Sequence, residues 1–227
     1  RQYRMVVNTF AQTFPHVQLW YFLPAHKRGP FNTILIGSNQ AIPLGIDRMR
    51  ARFTRAGEAM KSLQPYGLTS ADALLPHYVA NRQAILQRLQ NEPVNSLEFP
   101  RYEFFYPWEY AFQRETRFIE NHRLLIDLKR DTFSEFLASL EAGEEDRTRL
   151  RRTLAAEFRY LDGFQKFLEG ISLQEHYRIF DDALAVAPWN DSLRARIYAQ
   201  YHYIATTRRD PVDRARLMRK ASDLYPE

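Results

Sequence analysis

The spacing of apolar positions changes along the chain, and the changes divide it. Between Tyr3 and Phe14, the residues Val6, Val7, Phe10 and Phe14 follow the steps of three and four that mark an amphipathic helix. Pro15 stops that helix, because proline has no N–H and crowds the preceding turn. The run His16-Val17-Gln18-Leu19-Trp20-Tyr21-Phe22 is rich in β-formers and partly alternates, which predicts a strand. A loop from Pro24 to Pro30 carries two prolines, one glycine and two cations. Asn32-Thr33-Ile34-Leu35-Ile36-Gly37-Ser38 predicts a second strand, apolar enough to be buried on both faces. A connection of about nine residues makes the two strands antiparallel neighbours. Helical spacing returns over Asp47–Leu63, over Ser70–Val79 and over Asn81–Leu89. Ser70 is the expected N-cap of the middle one, with Asp72 in its first turn. Pro93-Val94-Asn95 then turns into an aromatic segment, Phe99 to Tyr106, expected to be extended in part.

From about residue 126 the pattern is helical throughout. The predicted helices are Asp131–Glu141, Glu144–Gly170, Leu173–Ala187, Asp191–Thr206 and Pro211–Leu224, with Thr132 and Asn190 as caps. Pro188 and Pro226 stand just past helix ends, and Pro211 can open a helix at its first turn. Ala183–Pro188 (Ala-Leu-Ala-Val-Ala-Pro) aligns with Ala221–Pro226 (Ala-Ser-Asp-Leu-Tyr-Pro), an offset of 38 residues (221 minus 183). Small residues, a terminal proline and an Asn-Asp cap in this order resemble tetratricopeptide repeats, whose usual period is about 34 residues. The Trp-Leu-Gly portion of that repeat is missing. An ordinary helical bundle is the alternative, and both readings stand.

Composition narrows the class. The 227 residues fit one large domain or two small ones, and 45% hydrophobic with 26% charged residues is the balance of a globular chain. No apolar run approaches the roughly 18 residues of a membrane span. With Cys at 0, disulfides, thiol nucleophiles and thiolate metal sites are excluded. The formal charge of +5 (32 basic minus 27 acidic) is interspersed rather than blocked, and no aromatic-basic ribbon accompanies it, so no nucleic-acid partner is expected. The chain opens on Arg1 and enters a helix within three residues, which reads as a piece of a longer protein.

Catalytic signatures are sparse. The sequence has no Gly-x-Gly-x-x-Gly, no His-Glu-x-x-His and no Gly-x-Ser-x-Gly. Its 8 glycines are few for loops that bring backbone onto phosphate, and its six histidines (16, 26, 77, 122, 176 and 202) lack ligand spacing. Asp181 and Asp182 are adjacent, so on a helix they point apart rather than converging as a dyad. The aromatic cluster Tyr102, Phe104, Phe105, Tyr106, Trp108 and Tyr110 fits core or interface better than a ligand cage.

One ordered set of motifs is more specific. It runs from Thr9-Phe10-Ala11-Gln12-Thr13-Phe14-Pro15-His16-Val17-Gln18-Leu19-Trp20-Tyr21, through a strand ending Leu35-Ile36-Gly37-Ser38, to Ala73-Leu74-Leu75-Pro76-His77-Tyr78-Val79 and Pro93-Val94-Asn95-Ser96-Leu97-Glu98-Phe99-Pro100. This order resembles the C-terminal part of the spermidine synthase-like (polyamine aminopropyltransferase-like) family, and is most similar to the large bacterial forms that often follow membrane-spanning segments. The resemblance covers residues 1–107. It implies a Rossmann-like sheet of which the two predicted strands are the last two, an antiparallel hairpin at the edge. It implies decarboxylated S-adenosylmethionine as the cofactor of the intact parent, bound upstream of this segment, and no cofactor site in this chain. It assigns substrate-binding positions to Tyr21 and Pro24, which match the residues flanking the family's polyamine pocket. An aromatic face suits a cationic amine. Ala25-His26-Lys27-Arg28-Gly29 replaces the family's Thr-Tyr-Pro-Ser-Gly, and Leu97-Glu98-Phe99-Pro100 replaces its late acidic stretch.

The expected fold is therefore α+β: residues 1–125 as the C-terminal piece of a Rossmann-like α/β domain with an antiparallel strand pair, and residues 126–227 as an all-α, repeat-like region. The expected function is structural association within a larger spermidine synthase-like protein, without catalysis by this chain alone. A protein-interaction scaffold built on the helices is the alternative. The expected partners are the N-terminal part of the parent, a second copy of the chain, or a protein on the helical tail. Attachment to a bacterial membrane would come through upstream segments.

Overall fold

Pro15 ends the first helix as its chemistry requires. In the computed structural model, which describes residues 2–23, 32–96, 98–100, 114–207 and 209–224, helix α1 spans Gln2–Thr13. Its inward face is Met5, Val7, Asn8 and Ala11, whereas Val6 is 40% exposed, so the buried stripe is rotated from the expected one. Asn8 is buried because its Nδ2 donates to the Glu92 carbonyl at 2.8 Å. Strands β1 (His16–Phe22) and β2 (Asn32–Ser38) form the expected antiparallel pair, in register from His16↔Ser38 to Phe22↔Asn32. Five consecutive residues of β1, Val17 to Tyr21, are buried, as befits a central strand covered on both faces. Each fully buried side chain of this size contributes about 1.5–3 kcal/mol.

Several expectations need correction. β2 is not buried on both faces: Ile34 is 50% and Ile36 41% exposed. The helix expected over Ser70–Val79 is short. Ser70 caps it as predicted, accepting from the Ala73 N–H at 3.1 Å, but α3 covers only Ala71–Leu74. Pro76 cannot donate into an α-helical ladder, and the chain passes through a 3₁₀ turn (Leu75–His77) into β3 (Tyr78–Asn81). β3 pairs antiparallel with β1, giving the order β2-β1-β3. The helix expected over Asp47–Leu63 is α-helical only as α2 (Ile46–Ala56). At Gly57, with φ +45°, it gives way to a 3₁₀ stretch, Gly57–Tyr66.

Helix α4 spans Arg82–Leu89, capped by Asn81, and α5 spans Arg114–Ser139. Thr132 is thus no cap. It sits mid-helix and buried, its Oγ1 2.9 Å from Leu128 O and 2.5 Å from Val79 O. The aromatic segment 102–110 lies outside the described residues.

The remaining helices match the predicted spans closely: α6 (Glu144–Leu168), α7 (Leu173–Val186), α8 (Asp191–Thr207) and α9 (Pro211–Leu224). Their ends are locally determined. Glu144, Glu145 and Asp146 favour the N-terminus of α6 through its dipole. Ser172 caps α7, and Asn190 caps α8 by accepting from the Leu193 N–H at 3.1 Å. Pro211 opens α9 as expected.

The chain folds as two compact units. The first takes Arg1–Phe22, Asn32–Pro43 and His77–Leu140, and the second takes Leu23–Phe31, Leu44–Pro76 and Glu141–Glu227. The first is α+β, with the three-stranded sheet between α1, α4 and α5. The second is helical. Its core is aromatic: Tyr160, Phe164, Phe180 and Tyr201 are all at most 1% exposed, and the Tyr160 and Phe180 rings lie 5.0 Å apart. A Cβ on Gly163 would meet Ile179 Cγ2 at 2.6 Å, so glycine is what lets α6 and α7 cross this closely. Arg50 on α2 ties α3 and α6 together, bonding Asp72 at 2.9 Å and Asp146 at 2.8 Å. The hydrogen bonds from Arg50 hold the Asp146 carboxyl below its ordinary range.

Candidate functional site

The substrate-binding position implied by the resemblance is at the C-terminal end of β1. Tyr21 is 4% exposed, opposite Thr33 across the sheet. Its hydroxyl shares a hydrogen bond with Nδ1 of His122 on α5, which is fully buried. The Tyr21 carbonyl accepts from His77 Nδ1 at 2.9 Å, and the His77 ring stacks on Phe22 at 4.6 Å. β1, the 3₁₀ turn and α5 therefore bring one tyrosine and two histidines together inside the first unit. Pro24, the other implied position, lies outside the described residues. His77 stands in the Ala73–Val79 run of the resemblance, which assigns it no role, and no motif marks His122; they meet Tyr21 across 56 and 101 positions. Tyr21→Phe removes a hydroxyl that is buried and bonded. The expected outcome is a loss of about 1–2 kcal/mol in urea-monitored stability. A neutral result would instead place the hydroxyl in solvent.

The two edges of the sheet are chemically different. On the β3 side, α5 supplies side chains to the strand's carbonyls: Lys129 Nζ donates to Tyr78 O at 2.6 Å and Thr132 Oγ1 to Val79 O. The Tyr78 ring stacks on Phe136 at 4.4 Å. Burial, aided by the nearby Glu135 charge, pushes the Tyr78 phenol well above its ordinary value. This edge cannot accept another strand. On the other side β2 is terminal, with no strand partner beyond it among the described residues. One face of β2 is covered by α1, where a Cβ on Gly37 would lie 2.5 Å from the Phe14 ring. The opposite face carries the exposed Ile34 and Ile36.

In the helical unit, a groove of about 590 Å³ runs along α7 and α9, with Tyr177, Arg178, Asp181, Arg216 and Lys220 in its lining. The Tyr201 hydroxyl donates to Asp181 Oδ1 at 2.8 Å, and Lys220 holds the other carboxylate oxygen. Burial first, then the Asp181 charge, raises the Tyr201 phenol far above its usual range. Asp182 turns instead to Arg178, at 3.5 Å, so the adjacent acids diverge as their helical spacing requires. Among the described residues, no three His, Asp or Glu side chains converge as a metal site, and no helix is long and apolar enough to cross a membrane. No protein-family model, curated protein or solved structure matches this chain.

Proposed function

We propose that this chain serves as the closing part of a larger spermidine synthase-like sheet, and that its own role is association rather than catalysis. One observation carries the reading. The sheet is sealed at β3 by Lys129 and Thr132 and open at β2, where an unpaired edge coincides with two exposed isoleucines. Proteins ordinarily blunt or cover an edge strand of this kind. The occupant proposed is the neighbouring strand of the parent's Rossmann-like sheet, with a parent helix over Ile34 and Ile36. The β1–β2 hairpin has the antiparallel form that the family resemblance implies for this pair, but β3 follows it in the chain, so the pair is not the last two strands of the sheet. On this reading, group transfer from decarboxylated S-adenosylmethionine, and any membrane attachment, belong to the rest of the parent.

Hydrogen exchange tests it. The outward-facing amides of β2 are expected to exchange rapidly in this chain and to be protected in the longer polypeptide. Ile34→Asp with Ile36→Asp should leave this chain's thermal midpoint nearly unchanged and destabilise the longer polypeptide by several kcal/mol, because a charge would then be buried unpaired. Equal exchange in both contexts overturns the reading. So does a β2-mediated dimer of this chain in light scattering.

A second reading, a protein-interaction scaffold, is favoured by the groove along α7 and α9. It is also favoured by Ala183 and Ala221, the aligned positions of the internal echo, which are 0% and 2% exposed.

A further inference from the structure

A smaller cavity in the helical unit brings hydrogen-bond donors together with two carboxylates. It measures about 110 Å³ and is lined in part by Ser70, Asp72, Arg149, Trp189, Asn190 and Asp191. It lies at the N-terminus of α8, where the helix dipole favours negative charge. Two further observations point to a ligand. Asn190 is 5% exposed, and its Oδ1 is committed to capping α8, yet its Nδ2 is buried without an acceptor. The neighbouring Trp189 Nε1–H is also buried without an acceptor. Buried N–H groups left unpaired are costly, and both belong to residues that line this cavity.

The charges choose the sign and number. Asp72 is bonded through both oxygens by Arg50, and Asp191 is paired with Arg194 at 3.2 Å. Arg149 has no carboxylate within ion-pair distance among the described residues, and its guanidinium carbon stands 6.0 Å from the Trp189 ring. Arg152 stacks over the same ring at 4.4 Å and holds the indole in place. Arg152 is a second cation at this ring, and Asp146, which shares Arg50 with Asp72, offsets it, so one net positive charge is left over, which matches a monoanion. A dianion would meet the field of Asp72 and Asp191. Size agrees: at about 30 Å³ per water, the space holds three or four waters, or one carboxylate with its attached carbon.

We propose that this cavity binds a single carboxylate group, belonging to a small free acid or to a peptide C-terminus. Trp189 Nε1–H and Asn190 Nδ2–H donate to its oxygens, and Arg149 supplies the countercharge. An arginine fork beside N–H donors is well suited to planar carboxylate oxygens.

The test uses the whole chain labelled with ¹⁵N, whose 3 tryptophans give separate indole signals, with Trp189→Phe assigning the one of interest. Sodium acetate, a tripeptide with a free C-terminus and the same tripeptide amidated are titrated against sodium chloride at equal ionic strength. The Trp189 indole signal is expected to shift saturably with acetate and with the free-acid tripeptide, and not with the amide. Tighter binding of the tripeptide assigns a peptide C-terminus; equal or weaker binding assigns a small acid. Arg149→Gln, at an exposed position, should weaken the midpoint by about tenfold or more with the circular dichroism spectrum unchanged. Asn190→Ser, which keeps a capping oxygen but loses the amide donor, should weaken it as well. The proposal is overturned if acetate moves the signal no further than chloride does, if the amide binds as well as the acid, if Arg149→Gln binds as tightly as the native chain, or if inorganic phosphate saturates the site more tightly than acetate.

Discussion

Arg196→Met is expected to lower the stability of the helical unit by about 3–5 kcal/mol, read as a fall in the urea midpoint. Arg196 on α8 and Glu157 on α6 are each 3% exposed and meet through two parallel hydrogen bonds, Nη1–Oε1 at 2.8 Å and Nη2–Oε2 at 2.5 Å. The guanidinium also lies 4.6 Å from the Tyr160 ring centre. Both charges have left water. Their attraction is strong there, but much of it offsets desolvation, so the intact pair contributes little net stability while its half is very costly. That asymmetry sets the control. Adding Glu157→Leu to Arg196→Met removes the stranded carboxylate and is expected to recover most of the loss. A single variant costing under about 1 kcal/mol, or a double variant no better than the single, would show that the carboxylate is not stranded by the substitution.

The second large effect depends on pH. His176 on α7 is fully buried between Phe167, at 4.5 Å, and Phe180, at 4.1 Å. Burial pushes its imidazole down to about 4, only partly opposed by the hydrogen bond between Nδ1 and Gly163 O at 3.3 Å. The unfolded chain takes up this proton near pH 6.5, whereas the folded chain resists it until about pH 4. Between those values the unfolded state holds more protons, so stability falls as pH is lowered through the window and rises again on return to neutrality. The full loss is about 3 kcal/mol, reached below about pH 4. Above pH 6.5 the ring is neutral in both states and adds no dependence. His176→Leu keeps an apolar filling and removes the proton. The urea midpoint of this variant should therefore fall less than that of the native chain between pH 7 and pH 4. Parallel profiles would refute the assignment.

Much of the helical unit is legible in the sequence alone. Asn190 and Pro211 start helices where their side chains dictate, and α6 to α9 follow the apolar spacing within a few residues. Capping and helical period act over about four residues, a range that a sequence displays directly. The β1–β2 hairpin was legible for the same reason, since its strands are near neighbours of strong β character. The Tyr21 cluster was not, because its histidines arrive from distant segments. The buried ion pair was not either. Glu157 and Arg196 are 39 positions apart and look like ordinary surface charges on a helical wheel.

What the sequence by itself determined is therefore local: where helices begin, where prolines stop them, and that two apolar runs pair as strands. The tertiary structure decided which faces are covered. Val79 sits in a segment whose flanking signals suggested helix, but pairing with β1 drew it into a strand. Thr132 has the chemistry of a cap, but packing beside β3 turned it into a mid-helix donor to Val79 O. Ile34 and Ile36 read as core, yet they are 50% and 41% exposed. Burial and pairing depend on which distant segments meet, and the free energy of that meeting exceeds the fraction of a kcal/mol by which most local preferences differ.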